Sequence, residues 1–341
     1  MRLRLQDVAA AAGVSEATVS RVMNGKHGVS ARTKANVVKV LADFGYEPDL
    51  LRSSPRSGSI GLIVPELDNP VFPAIAQAIE AYSLASGFVS VLGCAGRAGP
   101  SEEVYAETFV AQGVNGLIIV SGRHADIGGN HQIYHDLIAR NMPMVLVNGG
   151  LAGTPVPSVS SDDRAASIVA YNHLAALGHE RIGLLTGPVC YVPVVRKLAG
   201  FRSAAATAGI APIEVEQRIA ESLFTVEGGA AGTQELLSNG VTGIVAASDM
   251  MALGAIRVVR ERGLRVPNDI SVVGYDDTEL MRFTDPPLTT IRQPVEQIAD
   301  HAVSLLTTQI AGQQFECRDY LVEGELIARS STAQRVAVAP L

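Results

Sequence analysis

The chain has 341 residues, 47% hydrophobic against 18% charged, and a formal net charge of -7 at pH 7. That length exceeds one hydrophobic core, so two or three domains are expected, and the composition excludes a disordered or fibrous bulk. Apolar runs such as 116–120 and 182–185 are strand-sized, too short to span a bilayer, and MRLRLQDVAAAAG makes a poor export signal, so a cytoplasmic protein is expected.

The charge is unevenly placed. Residues 1–57 carry nine Lys/Arg against five Asp/Glu, +4, which leaves -11 for the remainder. A basic head on an acidic body suits a nucleic-acid tether, because the head can still displace counterions from a phosphate backbone that the body repels. Within the head, Leu5 to Ala12 reads as a short helix broken at Gly13, where a positive φ allows a sharp turn. Ser15 is expected to cap a second helix with Thr18 at its third position and Val14, Val19 and Val22 as its apolar face; Asn24-Gly25 closes it. Ser30 starts a third helix in the same way, with Thr33 following, Val37, Val40, Leu41 and Phe44 inward, and Gly45 as its stop.

Two short helices around a glycine turn, braced by a third, form the helix-turn-helix arrangement in which the second helix enters the major groove. Ala17, Thr18 and Ser20 are small enough for close backbone approach, and the groove-facing side chains would be Glu16, Ala17 and Arg21. Arg21 suits bidentate bonding to guanine, and Glu16 suits acceptance from cytosine. The alternative is a three-helix structural cap with Glu16 and Arg21 merely solvated.

The stretch "DVAAAAGVSEATVSRVMNG…VSARTKANVVKVLADFGYEPD" resembles the headpiece of the LacI/GalR family of bacterial transcription regulators. The resemblance implies phosphate contacts at Ser15, Thr18, Asn24, Ser30 and Thr33, and base reading at Glu16, Ala17 and Arg21. It also implies a hinge helix whose leucine wedges into the minor groove, and here the chain departs from the family. Between Tyr46 and Gly58 the segment is shorter, with Ser54 where that leucine would fall and Pro55 directly after. Proline stops a helix and serine is no apolar wedge. Either Leu50 or Leu51, beside Arg52, takes over the insertion, or the operator is bent less.

From residue 60 short buried strands alternate with amphipathic helices, which indicates parallel α/β layers. The segments at 60–88 and 182–209 are both strand, proline-containing loop, long helix and glycine, and those at 113–122 and 240–249 match again. Two related halves whose strand ends face each other make a cleft walled by loops. This resembles the periplasmic sugar-binding-protein fold that the LacI/GalR family uses for its effector core, and "VPNDISVVGYDDTELMRFTDPPLTTIRQP" is close to that family's signature. The expected class is therefore α/β, a core of two doubly wound parallel-sheet subdomains behind an all-α helix-turn-helix domain. Expected boundaries are 1–46 for the headpiece, 47–58 for the linker and 59–335 for the core. Within the core, the N-subdomain takes 59–160 and 293–321, and the C-subdomain takes 161–290 and 322–335.

A neutral sugar needs hydrogen-bonding partners for vicinal hydroxyls and an aromatic face for its C–H surface. Positions just past strand ends supply them: Asn69, Phe72, Ser121, Asn148, Asp162, Arg196, Lys197, Ser248, Asp276 and Gln293. Asp162 could equally cap the helix near Arg164, and Asp276 could close a turn. Family members commonly have arginine three residues before the "G-[FW]" matched by Gly200-Phe201; here it is Lys197 with Arg196 beside it, and either could enter the cleft. The stretches "YVPVVRK", "SDMMALGAIR" and "FTDPPLTT" are similar to the actinobacterial branch that controls maltose and maltodextrin use, which points to an α-glucoside effector.

Other functions fare worse. His131 and His135 have a spacing compatible with zinc on a helix face, but no catalytic Glu lies between them and no cysteine pair is near. Cys94, Cys190 and Cys317 form no CxxC pair and read as reduced packing residues. No phosphate-binding, dinucleotide-binding or nucleophile-elbow motif is present, so neither an enzyme nor a cofactor is expected. A transporter's solute-binding protein would need an export signal and have no use for a basic headpiece. The expected partners are a pseudo-palindromic DNA operator, a sugar effector and a second copy of the chain. The dimer would use the helix from Ala74 to Ser86, and no leucine heptad follows residue 332 to make tetramers.

Overall fold

Three short helices open the chain: α1 (Leu5–Ala12), α2 (Glu16–Met23) and α3 (Ala31–Asp43). They belong to a computed structural model that describes residues 5–23, 28–44, 58–96 and 99–335; Asn24, Leu50, Leu51 and Arg52 lie outside the described residues. Gly13, at φ 64°, makes the turn between α1 and α2. One capping device starts both later helices: Ser15 Oγ accepts from the Thr18 N–H at 3.2 Å, and Ser30 Oγ accepts from the Thr33 N–H at 3.1 Å. Val8, Val19, Val22, Val37 and Leu41 form the small core, with Val14 and Val40 at its edge. Asn36 pins α3 to α1 by donating to the Ala12 carbonyl at 2.9 Å. Phe44 corrects the sequence expectation: at 48% exposure it is not inward, because α3 has ended at Asp43 and the ring projects past the three-helix core.

The body begins with β1 (Gly58–Val64), α4 (Val71–Ala85), β2 (Phe88–Cys94), α5 (Glu102–Ala111), β3 (Leu117–Val120), α6 (Gln132–Ala139), β4 (Met144–Val147) and β5 (Ser158–Ser161). It continues with α7 (Asp163–Ala176), β6 (Ile182–Thr186), α8 (Val192–Thr207), α9 (Pro212–Glu216), β7 (Ile219–Glu221), α10 (Val226–Ser238), β8 (Gly243–Ala246), α11 (Asp249–Glu261), β9 (Ser271–Asp276) and β10 (Thr289–Arg292). Then come α12 (Val295–Ile310), β11 (Asp319–Val322) and β12 (Glu325–Ile327).

The strands form two sheets, ordered β2-β1-β3-β4-β5-β11 and β7-β6-β8-β9-β10-β12. The two orders correspond strand for strand, so the sequence repeats are repeats of topology. All pairings are parallel except β12, which runs antiparallel to β10. The central strands β3 (LIIV) and β4 (MVLV) are buried along their whole length, as parallel strands covered by helices on both faces must be. Each fully buried side chain such as Ile75 or Ile79 of α4 contributes about 2 kcal/mol.

The chain passes between the two lobes three times. It leaves the first sheet after Ser161 to form α7, and returns after β10 when α12 packs Ile298, Ala302 and Leu306 into the first lobe's core. It crosses again between β11 and β12. The headpiece touches the body through α3: Ala35 joins the first lobe's core, and Lys34 Nζ donates to the Ala85 carbonyl at 3.2 Å. Cys94 and Cys190 are half-buried, but Cys317 is exposed and so is not a packing residue as expected. No described helix is long and apolar enough to cross a membrane.

Helices α10 and α11 approach closely because glycines face each other's backbone. A Cβ at Gly254 would lie 2.0 Å from the Val226 carbonyl oxygen, and one at Gly229 would lie 2.3 Å from the Met251 carbonyl oxygen. Backbone cannot give way as a flexible side chain can. Gly254→Ala is therefore expected to lower stability by about 2 kcal/mol or more, read as a lower urea midpoint at unchanged slope.

Candidate functional site

The recognition face of α2 is open. Glu16, Ala17 and Arg21 are exposed, and Ser20 and Thr18 are half-buried beside them. The hydroxyls of Ser15 and Thr18 lie 2.9 Å apart and those of Ser30 and Thr33 lie 2.8 Å apart, so each pair is clustered at a helix N-terminus, where amides and dipole favour an anion.

Between the lobes, the loops that follow strand carboxyl ends meet. Five described non-glycine residues have positive φ, and four sit at such ends: Ser121 (47°) after β3, Asn148 (67°) after β4, and Asp276 (125°) and Asp277 (55°) at β9. Each such conformation costs about 1–3 kcal/mol and persists only where its surroundings fix it. Asn148 Nδ2 donates to Ser121 Oγ at 3.0 Å, so these two candidates are brought together in the first lobe. Ser161 Oγ donates to Gln293 Oε1 at 3.0 Å, and Gln293 Nε2 donates to Asp276 Oδ1 at 2.6 Å, which joins the first lobe to the second. A backbone bond adds to this: the Ile127 N–H donates to the Cys190 carbonyl at 2.8 Å, next to an isolated bridge between Asp126 and Tyr191.

Asp276 is 7% exposed and its Oδ2 has no partner in the structure. Burial, and then the charge of Asp249, pushes its carboxyl well above the usual carboxylate range; burial also raises Asp249, against hydrogen bonds from Thr290 and Thr278. A protonated Asp276 can both donate and accept, which suits a hydroxyl-rich neutral ligand.

Arg196 and Lys197 have different partners. Lys197, 6% exposed, is ion-paired with Asp163 and lies 3.8 Å from the Tyr275 ring centre, while the Tyr275 hydroxyl donates to Asp163 Oδ1 at 2.8 Å. It is held inside the second lobe, whereas Arg196 reaches across to Asp319 of the first. Two candidates serve as helix caps, Asp162 accepting from the Ala165 N–H at 2.9 Å and Ser248 from the Met251 N–H at 3.2 Å, while Asn69 closes a turn before α4 by accepting from the Val71 N–H at 3.4 Å. Phe72, expected to cover a ligand, lends its partly buried ring to the first lobe's core.

A protein-family model described as "Bacterial regulatory proteins, lacI family" matches residues 4–49, and one described as "Periplasmic binding protein-like domain" matches 171–332. The chain is 47% identical over 335 residues to the HTH-type transcriptional regulator MalR of Streptomyces coelicolor, covering 98% of this chain and 97% of that protein. The chain belongs to the LacI family of bacterial regulatory proteins. Among solved structures, this LacI-family chain is similar to a transcriptional regulator CelR–cellobiose complex, with a TM-score of 0.73 and 32% identity, covering 97% of this chain and all (100%) of that one. It is likewise similar to the lac repressor dimer bound to operator and the anti-inducer ONPF, with a TM-score of 0.70 and 32% identity over 98% of this chain and 100% of that one. As a LacI-family member it is a helix-turn-helix transcriptional regulator with a periplasmic-binding-protein-like body.

Several residues of this LacI-family cleft escape sequence reasoning. Asp163, Tyr275 and Asp319 are paired to candidates far away in sequence, and no local signal singles them out. A buried network also supports the rim. Tyr134 OH donates to Glu102, whose other oxygen accepts from the Arg123 N–H at 2.9 Å, and His124 Nε2 lies 3.1 Å from the Val147 carbonyl. This fixes the loop that carries Asp126 and Ile127 to the second lobe. Among the described residues no His, Cys, Asp and Glu are grouped to hold a metal. His131 Nε2 instead lies 3.0 Å from the Arg123 carbonyl and 2.8 Å from that of Asp126, and His135 is exposed.

Burial pushes His124 from 6.5 down to about 4. Its contribution to stability is intact above about pH 6.5 and lost as pH falls toward 4, because only the unfolded imidazole takes up a proton in that window. Between pH 7 and pH 4 the wild type is expected to lose about 3 kcal/mol more than His124→Gln, measured by urea unfolding at each pH.

Proposed function

We propose that this regulator is a cytoplasmic homodimeric repressor, in which two headpieces read a pseudo-palindromic operator and an α-glucoside between the lobes controls operator affinity. It carries out no catalytic step. The observation that carries the reading is the combination of an open recognition helix, with Arg21 and Glu16 exposed, and a two-lobed body whose strand ends meet over Asp276, Gln293, Ser121 and Asn148.

One headpiece makes too few base contacts for selectivity, which is why two are required. For the dimer face, Ala74, Gln77 and Glu80 leave α4 exposed, and a groove of 960 Å³ runs beside them past Leu92 of β2 to Thr278 and Glu279. Leu67 and Leu92, 46% and 48% exposed, line this face, which a second copy would cover. The operator-bound lac repressor dimer and the cellobiose-bound CelR support the partners assigned here. Ser15, Thr18, Asn24, Ser30 and Thr33 are assigned to phosphates, Ser20 to the close approach of α2 to DNA, Leu50, Leu51 and Arg52 to the hinge, and residues 1–46, 47–58 and 59–335 to headpiece, linker and core. Ligand that changes the relation of the lobes shifts headpiece spacing, so sugar and DNA affinities are reciprocally coupled.

Fluorescence anisotropy on the chain's own upstream DNA tests the reading. Arg21→Ala is expected to weaken binding roughly tenfold to a hundredfold and to relax selectivity at one base pair per half-site. In the same assay maltose is expected to change wild-type affinity, whereas a monomer with no sequence preference at physiological salt overturns the proposal.

A further inference from the structure

Arg196 stands on α8 in the second lobe and Asp319 on β11 in the first, 123 residues apart in sequence, and the two side chains form an ion pair between the lobes. Each is 24% exposed, so the pair is partly withdrawn from water and less screened than a surface pair. The two halves are unequally prepared. Asp319 Oδ1 accepts from Ser158 Oγ at 2.9 Å and Ser160 Oγ at 3.0 Å, both on the neighbouring strand β5, which leaves Oδ2 directed to the guanidinium. Arg196 uses Nη2 for the carboxylate, and its Nη1 is buried with no hydrogen-bond partner.

The first lobe thus presents a rigid acceptor, and the second supplies a long arm that reaches it only while the lobes are together. Neighbouring contacts differ in kind. Lys197 spends its charge on Asp163 inside its own lobe, and the Gln293 bridge lies on a segment where the chain itself crosses. The Ile127–Cys190 bond is neutral backbone.

We propose that Arg196 is a positioning residue that holds the two lobes in their closed relation, with Asp319 as its catch. Separation of the lobes breaks the pair and returns the guanidinium to water, while Asp319 stays bonded to its own serines. An acceptor oxygen of a ligand lodged beside the arm would satisfy Nη1 and so favour closure. That consequence rests on the ligand reading above; the closing role itself does not.

The test is hydrogen exchange on the full chain without sugar. The reporter is the Ile127 amide, bonded across the lobes, and the control is the Ser222 amide, bonded to the Thr186 carbonyl within the second lobe at 2.8 Å. Arg196→Met and Asp319→Asn, the latter keeping the shape without the charge, are each expected to lower Ile127 protection about tenfold with Ser222 unchanged. Arg196→Lys, which keeps the charge, is expected to recover part of the loss. Unchanged Ile127 protection in both variants overturns the proposal, as does an equal loss at both amides, which would make the pair a part of general stability. Maltose added to the wild type separates the two readings: no effect on DNA binding counts against the α-glucoside, whereas the sugar-free exchange result alone decides the role of Arg196.

Discussion

The side chain of Gln293 makes one bond to each lobe, accepting from Ser161 and donating to Asp276, and the site between the lobes depends on that span. A half-buried amide can bond at both ends, and here the partners belong to two different sheets. The strand that delivers Gln293, β10, ends where the chain turns back toward the first lobe, so a single residue is held by the fold's topology and by its hydrogen bonds together. Asp276 is thereby fixed with one oxygen occupied and the other unsatisfied, and its carboxyl is pushed toward the neutral form by burial and by Asp249.

Around this span the cleft is assembled from strained strand ends. Ser121 and Asn148 adopt left-handed conformations and bond to one another, and the loop beyond Ser121 is anchored by Glu102, Tyr134 and His124 before it reaches the second lobe. Such anchoring sets the rim before any ligand arrives and lowers the ordering cost of binding. The headpiece is built differently. Its small core needs only a few valines and a leucine, and its helix starts are set by serine caps that act within one turn.

That difference accounts for what was legible in the sequence. Ser15, Ser30 and Gly13 act locally, so the three helices and their starts could be read from spacing, and apolar runs followed by turn residues marked the strand ends where Ser121, Asn148, Asp276 and Gln293 stand. Partnerships at long range were not legible. Nothing near Lys197 indicates that Asp163 holds it inside the second lobe, and nothing near Arg196 indicates Asp319. Asp162 and Ser248 are caps in the structure, and the sequence does not separate a cap from a ligand contact because both favour the same short polar side chains just past a strand. Phe44 and Cys317 look inward by residue type alone, but each lies where its element has ended or runs over the surface.

The matched strand orders of the two sheets have a consequence for substitutions at the rim. Ser121 and Ser248 stand at the ends of corresponding strands, as do Asn148 and Asp276, and Ser161 and Gln293. Because each such position stands at the rim of its own sheet, a substitution there alters one wall of the cleft at a time and leaves the packed strands of both lobes untouched.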